Sequence, residues 1–314
     1  MPSPIIASNN NWWEIQILAE LALEEQIFWR LQNFGCQGMA SQRTKDGLTG
    51  QTGQISISSY LPVEKGNVLD LAAMALWLKQ DAIASNYEAP VTKWTVISDE
   101  DWSSSWKQHW HPQEVGDMFT IYPAWLEPPT DSDRQILRLD PGSAFGTGAH
   151  ATTQLCLEAL EMRLWGAKLE DNLVVADVGC GSGILSIGAL MIGASQTYAI
   201  DNDILAIKAT NHNRQLNNIP EEKIWVQQGS IQDLIANMPH PANGFTCNIL
   251  ADIIIEMVPY FDQLVGETGW GILSGILVEQ VPKVAEALDA YKWVIATFWK
   301  RQEWACLTIR KSEY

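Results

Sequence analysis

The chain has 314 residues, and its 37 acidic against 20 basic side chains give a formal net charge of −17 at pH 7. This length suits two domains with sizeable cores. The negative charge makes direct nucleic-acid binding unfavourable and would attract a basic partner. No apolar run approaches the roughly 18 residues of a membrane span and no secretory signal pattern opens the chain, so we expect a cytoplasmic protein without a membrane segment.

The five cysteines contain no C-x-x-C pair, and four of them lie in apolar stretches. Such spacing predicts buried free thiols in a reducing compartment rather than disulfides or metal ligands.

Residues 1–95 are predicted to form a small first domain. Periodicity indicates, in chain order, a strand at 12–18, a helix at 20–34, strands at 36–40 and 54–61, a helix at 67–79 and a strand at 91–97. The order β-α-β-β-α-β is that of a ferredoxin-like α+β sandwich.

Residues 96–115 are predicted to form a linker helix. Acidic residues at 99–101 suit its first turn, and Trp102, Trp106 and Trp110 follow at four-residue spacing. These tryptophans fit a stripe that packs against one domain, and a helix that couples two domains is compatible with it.

Residues 116–314 alternate between strand and helix patterns. The predicted strands lie at 118–123, 134–139, 173–178, 197–201, 223–227, 244–249, 270–275, 293–299 and 304–310. The connection 300–303 is too short for a parallel crossover, so the last two strands must pair antiparallel. We therefore expect a doubly wound α/β domain, whose mostly parallel, seven-stranded Rossmann-like sheet ends in an antiparallel C-terminal hairpin.

A glycine turn follows the strand at 173–178. Asp177 precedes glycines at alternate positions, Gly179, Gly181 and Gly183, and glycine suits turns where the backbone closely approaches a ligand. The next strand ends at Asp201, about 20 residues beyond the glycines, where a doubly wound sheet places a carboxylate beside a ribose. The pattern predicts a nucleoside-binding site.

The spacing of the glycines in this turn indicates which nucleoside-containing cofactor the site suits. Dinucleotide enzymes use G-x-G-x-x-G, whereas D-x-G-x-G-x-G resembles the S-adenosylmethionine loop of class I methyltransferases. That cofactor carries an ammonium and no phosphate, so a partly exposed Asp177 would suit the ammonium. The alternatives are an NAD-type site, which the methyltransferase-like hairpin disfavours, and a turn that Asp177 merely holds through an Asx-type bond.

The segment 140–153 contains three glycines, an aromatic residue and several hydroxyls before a helix predicted at 154–164. This composition predicts a mobile loop that closes over a ligand. The alternative is an ordinary connection with Thr152 or Thr153 as the helix N-cap. His150 by itself indicates a hydrogen-bonded loop residue, and no second His or Cys stands near it to suggest a metal site.

Asn248 lies at the end of the strand predicted at 244–249. The carboxyl ends of such strands hold the chemistry of doubly wound sheets, and an amide can orient an amine because it offers both a donor and an acceptor. A purely structural asparagine is the alternative.

Together these segments resemble the ribosomal protein L11 methyltransferases (PrmA). The resemblance is carried by D-P-G-x-A-F-G-T-G-x-H-x-T-T at 140–153, D-x-G-C-G-S-G-I-L at 177–185, N-I-L-A at 248–251 and S-G-I-L at 274–277. The first 115 residues resemble the family only in architecture and in D-W-x-x-x-W-K-x-x-x-x-P at 101–112. Ala151 and Cys247 depart from the proline and alanine that are common in the family.

The resemblance implies S-adenosyl-L-methionine as the cofactor. The implied contacts are Thr153, Gly179, Asp201 and Asn248, with Asp177, Gly181, Gly183 and Phe145 nearby. It also implies N-methylation of lysine side chains and of the N-terminal amine of the basic protein L11. No Glu or Lys stands at the strand ends beside Asn248, so we expect the backbone and Asn248 to orient an amine that loses its proton to water, without a dedicated base. The site elements all lie after residue 140, which predicts that residues 1–95 recognise the substrate. The alternatives are a glutamine-amide methyltransferase, which would carry N-P-P-Y at this strand end, another protein methyltransferase, and a non-catalytic cofactor-binding scaffold.

Overall fold

The computed structural model describes residues 11–44, 54–98, 110–140, 148, 150–166 and 172–312. The chain divides into two compact units, Met1–Trp110 and His111–Tyr314. Among the helices in these described ranges, none combines the length and the apolar character that a membrane span requires.

The first unit is a four-stranded antiparallel sheet with two helices. Its elements are β1 (Asn11–Glu20), α1 (Glu24–Asn33), β2 (Gln37–Thr44), β3 (Gln54–Pro62), α2 (Val68–Ala84) and β4 (Val91–Ser98). They follow the predicted order β-α-β-β-α-β, and the strands lie in the order β2-β3-β1-β4. Alternate β1 residues such as Ile15 and Ile17 are buried against Leu31 of α1 and Met74 of α2, as the two-residue period of a half-buried strand requires.

The prediction of a linker helix at 96–115 is wrong at both ends of that range. Residues 96–98 continue β4, where Ile97 pairs with Trp12 of β1, and β5 (Gln113–Val115) is a strand. Residues 99–109, which include Trp102 and Trp106, lie outside the described residues.

The second unit contains two sheets. A small one joins β5 to β6 (Phe119–Pro123) and β7 (Gln135–Leu139), with β5 antiparallel and β7 parallel to β6. The strands predicted at 118–123 and 134–139 are therefore present, but they form this separate sheet.

The larger sheet has seven strands. The remaining elements are α3 (Ala151–Leu164), β8 (Val174–Val178), α4 (Ile184–Met191), β9 (Gln196–Asp201), α5 (Ile204–Leu216), β10 (Ile224–Gln228), α6 (Ile231–Asn237), β11 (Ala242–Asn248), α7 (Ala251–Met257), α8 (Phe261–Leu264), β12 (Val265–Leu277), α9 (Val281–Ala290), β13 (Trp293–Arg301) and β14 (Trp304–Lys311). The strand order is β10-β9-β8-β11-β12-β14-β13. Strands β8 to β12 are parallel, and β14 is antiparallel to both neighbours. This confirms the predicted α/β fold and its C-terminal hairpin.

The central strand β8 is buried along its whole length, since helices cover both faces of a parallel sheet. One apolar core includes Leu157 and Ile187, and a second includes Ile254 and Phe261. The strand order reverses between β8 and β11, so a crevice opens at their carboxyl ends, where doubly wound sheets bind ligands.

All five cysteines are buried and free, which confirms the prediction of buried thiols.

Candidate functional site

Four predicted site residues meet at the carboxyl edge of the seven-stranded sheet. Gly179 follows β8, Asp201 ends β9 and Asn248 ends β11. Thr153, in the first turn of α3, lies within hydrogen-bonding distance of Asn248. The fold therefore gathers residues that are up to 95 positions apart in the sequence.

The glycine turn Gly179–Gly183 has a backbone that only glycine adopts easily. Gly179, Gly181 and Gly183 have φ of 74°, 54° and 78°, in the left-handed region that side chains disfavour. The amides of Gly179 and Cys180 both donate to the carbonyl of Ile200, at 2.8 and 3.0 Å. A Cβ on Gly179 would lie 2.5 Å from Ile249 Cγ2, so the turn is packed directly against the residue after Asn248.

Asp201 holds this turn in place. Its Oδ2 accepts a hydrogen bond from the Gly181 amide at 2.9 Å, and its Oδ1 accepts one from the Asp203 amide at 3.0 Å. An ionised carboxylate offers about four acceptor positions, and the side chain is half-buried. Asp201 can therefore fix the turn and still accept two hydrogen bonds from a vicinal diol.

Asp177 has a different environment from the predicted one. It is only 1% exposed, and its oxygens accept hydrogen bonds from the Ser186 amide and hydroxyl at 3.1 and 2.7 Å and from Thr246 Oγ1 at 2.7 Å. Burial raises the pKa of the Asp177 carboxyl, and these hydrogen bonds oppose the rise. The interpretation of Asp177 as a partly exposed acid is wrong: its bonds tie β8 to α4 and β11.

Among the described residues, one end of the Asn248 amide has a hydrogen-bond partner and the other end has none. Nδ2 donates to Oγ1 of the fully buried Thr153 at 3.4 Å. The other end, Oδ1, is buried and has no hydrogen-bond partner among the described residues. Leaving a buried acceptor unpaired costs about 1–3 kcal/mol, so a ligand N–H that reached Oδ1 at this edge of the sheet would remove that cost.

A second glycine positions Asn248. The Ile249 amide donates to the Ser274 carbonyl at 3.1 Å, and a Cβ on Gly275 would lie 2.3 Å from the Ile249 carbonyl oxygen. With a φ of 79°, Gly275 lets β12 approach the backbone that follows Asn248. The sequence marked Gly275 only as part of a family pattern, and a glycine inside a strand was the available signal.

His150 is the N-cap of α3. Its Nδ1 lies 3.4 Å from the Thr152 amide and 2.7 Å from Thr152 Oγ1, and its ring makes a T-shaped contact with Trp304 at 5.0 Å. Burial lowers the pKa of His150 to about 4, so the ring is neutral at pH 7. The helix begins at Ala151, and the expectation of Thr152 or Thr153 as its cap is wrong.

Phe145 and the rest of 141–147 and 149 lie outside the described residues, so the predicted loop closure stays a prediction. Within the described ranges, no three His, Cys, Asp or Glu residues are grouped as metal ligands would be.

A cavity of about 600 Å³ lies away from these residues, along the amino-terminal part of β12 and the end of β14. Its wall includes Arg163, whose guanidinium carbon is 5.2 Å from the centre of the Trp270 ring. No predicted site residue lines it.

Comparison with known proteins places the chain beside one family. The family model described as Ribosomal protein L11 methyltransferase (PrmA) matches residues 11–312. A protein of that name from a Cyanothece species is 50% identical over 305 residues, which is 96% of this chain and 99% of the relative. One from Thermosynechococcus vestitus is 45% identical over 301 residues, which is 95% of this chain and 97% of the relative. A crystal structure of ribosomal protein L11 methylase from Lactobacillus delbrueckii subsp. bulgaricus is 34% identical, with a TM-score of 0.58 over 65% of this chain and 100% of that one.

Proposed function

The chain belongs to the ribosomal protein L11 methyltransferase family, and on this premise we propose that it transfers methyl groups from S-adenosyl-L-methionine to amino nitrogens of ribosomal protein L11. The acceptors are lysine side chains and the N-terminal amine. The observation that carries the proposal is Oδ1 of Asn248 at the carboxyl end of β11, which is buried and has no hydrogen-bond partner among the residues that the structure describes.

The described residues fit this cofactor. Its ribose diol matches the two further hydrogen bonds that Asp201 can accept, and the glycine turn lets the ligand approach the backbone without a Cβ in the way. When bound, the cofactor supplies a sulfonium-activated methyl group. Because this donor is already activated, the protein has mainly to align the acceptor nitrogen with the methyl carbon.

Asn248 can perform this alignment. Its Oδ1 accepts one N–H of a neutral amine, and Thr153 Oγ1 holds the other end of the amide at 3.4 Å. The orientation of Asn248 is thus set from outside the reacting pair, and the amine lone pair is left free to attack.

The neutral amine nucleophile is scarce, because a lysine with a pKa of about 10.4 is only about 0.04% neutral at pH 7. Deprotonating the lysine at this pH therefore costs about 4.6 kcal/mol of free energy. Desolvation at the site would lower the pKa of that lysine. The Asn248 amide is no base, and Asp177 is enclosed by three hydrogen bonds. We therefore assign the departing proton to water.

We also assign substrate recognition to the first unit. The proposed cofactor and amine contacts described above, Thr153, Gly179, Asp201 and Asn248, all belong to the second unit, and the chain's charge of −17 favours a basic protein substrate over nucleic acid.

Intact mass spectrometry of L11 after incubation with the full chain and S-adenosylmethionine tests the proposal. We expect added methyl groups that fragment spectra place on lysine and on the N-terminal amine. Asn248→Ala should lower kcat about 2- to 12-fold, since one hydrogen bond to the neutral amine is lost. Asn243→Ala, at the other end of β11, is the control because the bond that it removes, from the Val174 amide, lies away from the proposed amine contact. Unmodified L11, methylated glutamine, or a wild-type rate for Asn248→Ala would contradict the proposal.

A further inference from the structure

Helix α5 and its C-cap residue carry a row of polar side chains that face neighbouring segments: Thr210 and Asn213 in the helix, and the half-buried Asn217 at the C-cap. The three side chains are three and four residues apart and so lie on one helix face. Thr210 and Asn213 are fully buried. Buried polar groups inside a helix interface need partners, and these residues find them in the backbone of two other segments.

Asn213 bonds to both segments at once. Its Nδ2 donates to the Ser182 carbonyl, in the glycine turn, at 2.9 Å. Its Oδ1 accepts from the amide of Asp140, the residue after β7, at 3.0 Å. An asparagine amide suits this task because it carries a donor and an acceptor on one planar group.

Each of the other two residues serves one segment. Thr210 Oγ1 donates to the Gly181 carbonyl at 3.0 Å, and a Cβ on Gly183 would lie 2.7 Å from Thr210 Cγ2. Asn217 Nδ2 donates to the Arg138 carbonyl at 2.7 Å, and its Oδ1 accepts from the Arg138 amide at 2.8 Å. Since β7 is an edge strand of its sheet, Asn217 satisfies backbone groups that a further strand would otherwise pair.

We propose that Asn213 is a positioning residue of the methyltransferase reaction, which fixes the glycine turn relative to Asp140 and the end of β7 through one buried amide. The inference rests on the proposed binding of S-adenosylmethionine at the glycine turn. Asn213 acts through the backbone of that turn, so its loss displaces the turn that the cofactor approaches, without removing a proposed contact.

Five variants of the full chain separate positioning from stability alone. Asn213→Ala removes both bonds. Thr210→Val removes the bond to the glycine turn but keeps the shape, whereas Thr210→Ser keeps the hydroxyl and should restore affinity. Asn217→Ala removes the bonds to β7 and the bond from Asn217 Nδ2 to the Asn213 carbonyl at 2.8 Å, none of which involves the glycine turn. Asn211→Ala is the neutral control, because the bond that it removes, to Ile207, lies within the helix.

Calorimetric titration with S-adenosylmethionine and the thermal midpoint are measured for every variant. We expect Asn213→Ala and Thr210→Val to raise Kd, and KM for the cofactor, about tenfold or more while kcat at saturation falls less. Asn217→Ala should lower the midpoint as much as Asn213→Ala while its Kd stays within about twofold. If Kd follows the midpoint across all variants, or if Asn213→Ala binds as wild type, Asn213 is merely structural and the proposal is overturned.

Hydrogen exchange without cofactor gives a reading that is independent of the proposed function. Asn213→Ala should speed exchange in both 179–183 and 138–140, and Thr210→Val should speed it in 179–183 only. If the wild-type chain does not bind S-adenosylmethionine, the proposed function fails, while this exchange pattern still tests whether Asn213 links the two segments. Unchanged exchange in either segment of Asn213→Ala overturns that link. Should Asn213→Ala fail to fold, the Thr210→Val and Thr210→Ser pair decides by its Kd values.

Discussion

Replacing Asp201 by asparagine tests the assignment of this carboxylate to the cofactor ribose. Both Asp201 oxygens already accept a backbone N–H, from Gly181 and from Asp203. An asparagine amide has only one oxygen, so in either orientation its NH₂ group faces one of those backbone donors. The variant therefore loses one bond in the free protein and the charge assistance in any bond to the ribose.

The expected loss of cofactor affinity and of stability follows from these hydrogen bonds. A hydrogen bond to a charged group contributes about 1.5–3 kcal/mol, and the loss of one such bond to the ribose corresponds to about a 10- to 150-fold rise in Kd for S-adenosylmethionine. The free protein should lose about 1 kcal/mol of stability, because the site is half-exposed and water can solvate the unpaired amide.

Isothermal titration calorimetry on the full chain measures the first effect, and thermal unfolding measures the second. Asp203→Asn is the matched control. It makes the same change in charge two residues away, and Asn remains a good N-cap for the Leu205 amide that Asp203 now binds at 2.8 Å. A Kd for Asp201→Asn within twofold of wild type would refute the ribose assignment. Equal losses of cofactor affinity in Asp201→Asn and Asp203→Asn would mean that the effect comes from long-range charge and not from direct hydrogen bonds.

Three further predictions concern other parts of the second unit. His150 has a pKa of about 4 in the native state, whereas in the unfolded chain it takes up a proton near pH 6.5. The free energy of unfolding should therefore decrease by at most about 3 kcal/mol as the pH falls from 6.5 to 4. Urea unfolding at pH 7 and pH 4.5 should lose this dependence in His150→Asn, which retains a capping side chain, and an unchanged pH dependence would contradict the assignment. In Gly275→Ala the alanine must adopt a left-handed conformation, which costs about 1–2 kcal/mol, and its Cβ would lie 2.3 Å from the Ile249 carbonyl oxygen. L11 methylation should therefore fall by more than the unfolded fraction of the variant explains. A loss that only matches the unfolded fraction would show that Gly275 contributes to stability and not to the site. A fragment of residues 111–314 should bind S-adenosylmethionine as the full chain does but methylate L11 poorly, and equal methylation by both would place recognition in the second unit.

Prediction from the sequence was most successful where local patterns carry the information. The strands of the seven-stranded sheet follow from apolar runs, and the antiparallel pairing of β13 and β14 follows from the short connection between them. The glycine turn was recognisable because its three glycines occupy positions that require positive φ. The linker helix failed because acidic residues and spaced tryptophans do not show that residues 96–98 pair with β1.

The predicted site could be located but not described in detail. Strand ends identified Asp201 and Asn248, since the carboxyl edge of a doubly wound sheet is set by its topology. Asp177 was misassigned because one of its two hydroxyl partners, Thr246, is 69 residues away and belongs to another strand. Asn213 was missed altogether because nothing near it in α5 distinguishes it from an ordinary helix residue.

Local sequence patterns were enough to predict most of the helices and strands, their order along the chain and the edge of the sheet where the polar residues gather, although they gave a helix where β4 ends and where β5 lies. Those properties depend on periodicity, glycine placement and connection length, which are local. Which polar atoms have hydrogen-bond partners could be seen only in three dimensions. Asp177 is enclosed, Asn213 reaches Asp140 across 73 residues, and Asn248 Oδ1 is left without a protein partner in the described part of the chain. A hydrogen bond depends on the positions of both partners in space, and when they come from distant elements no local pattern specifies their distance.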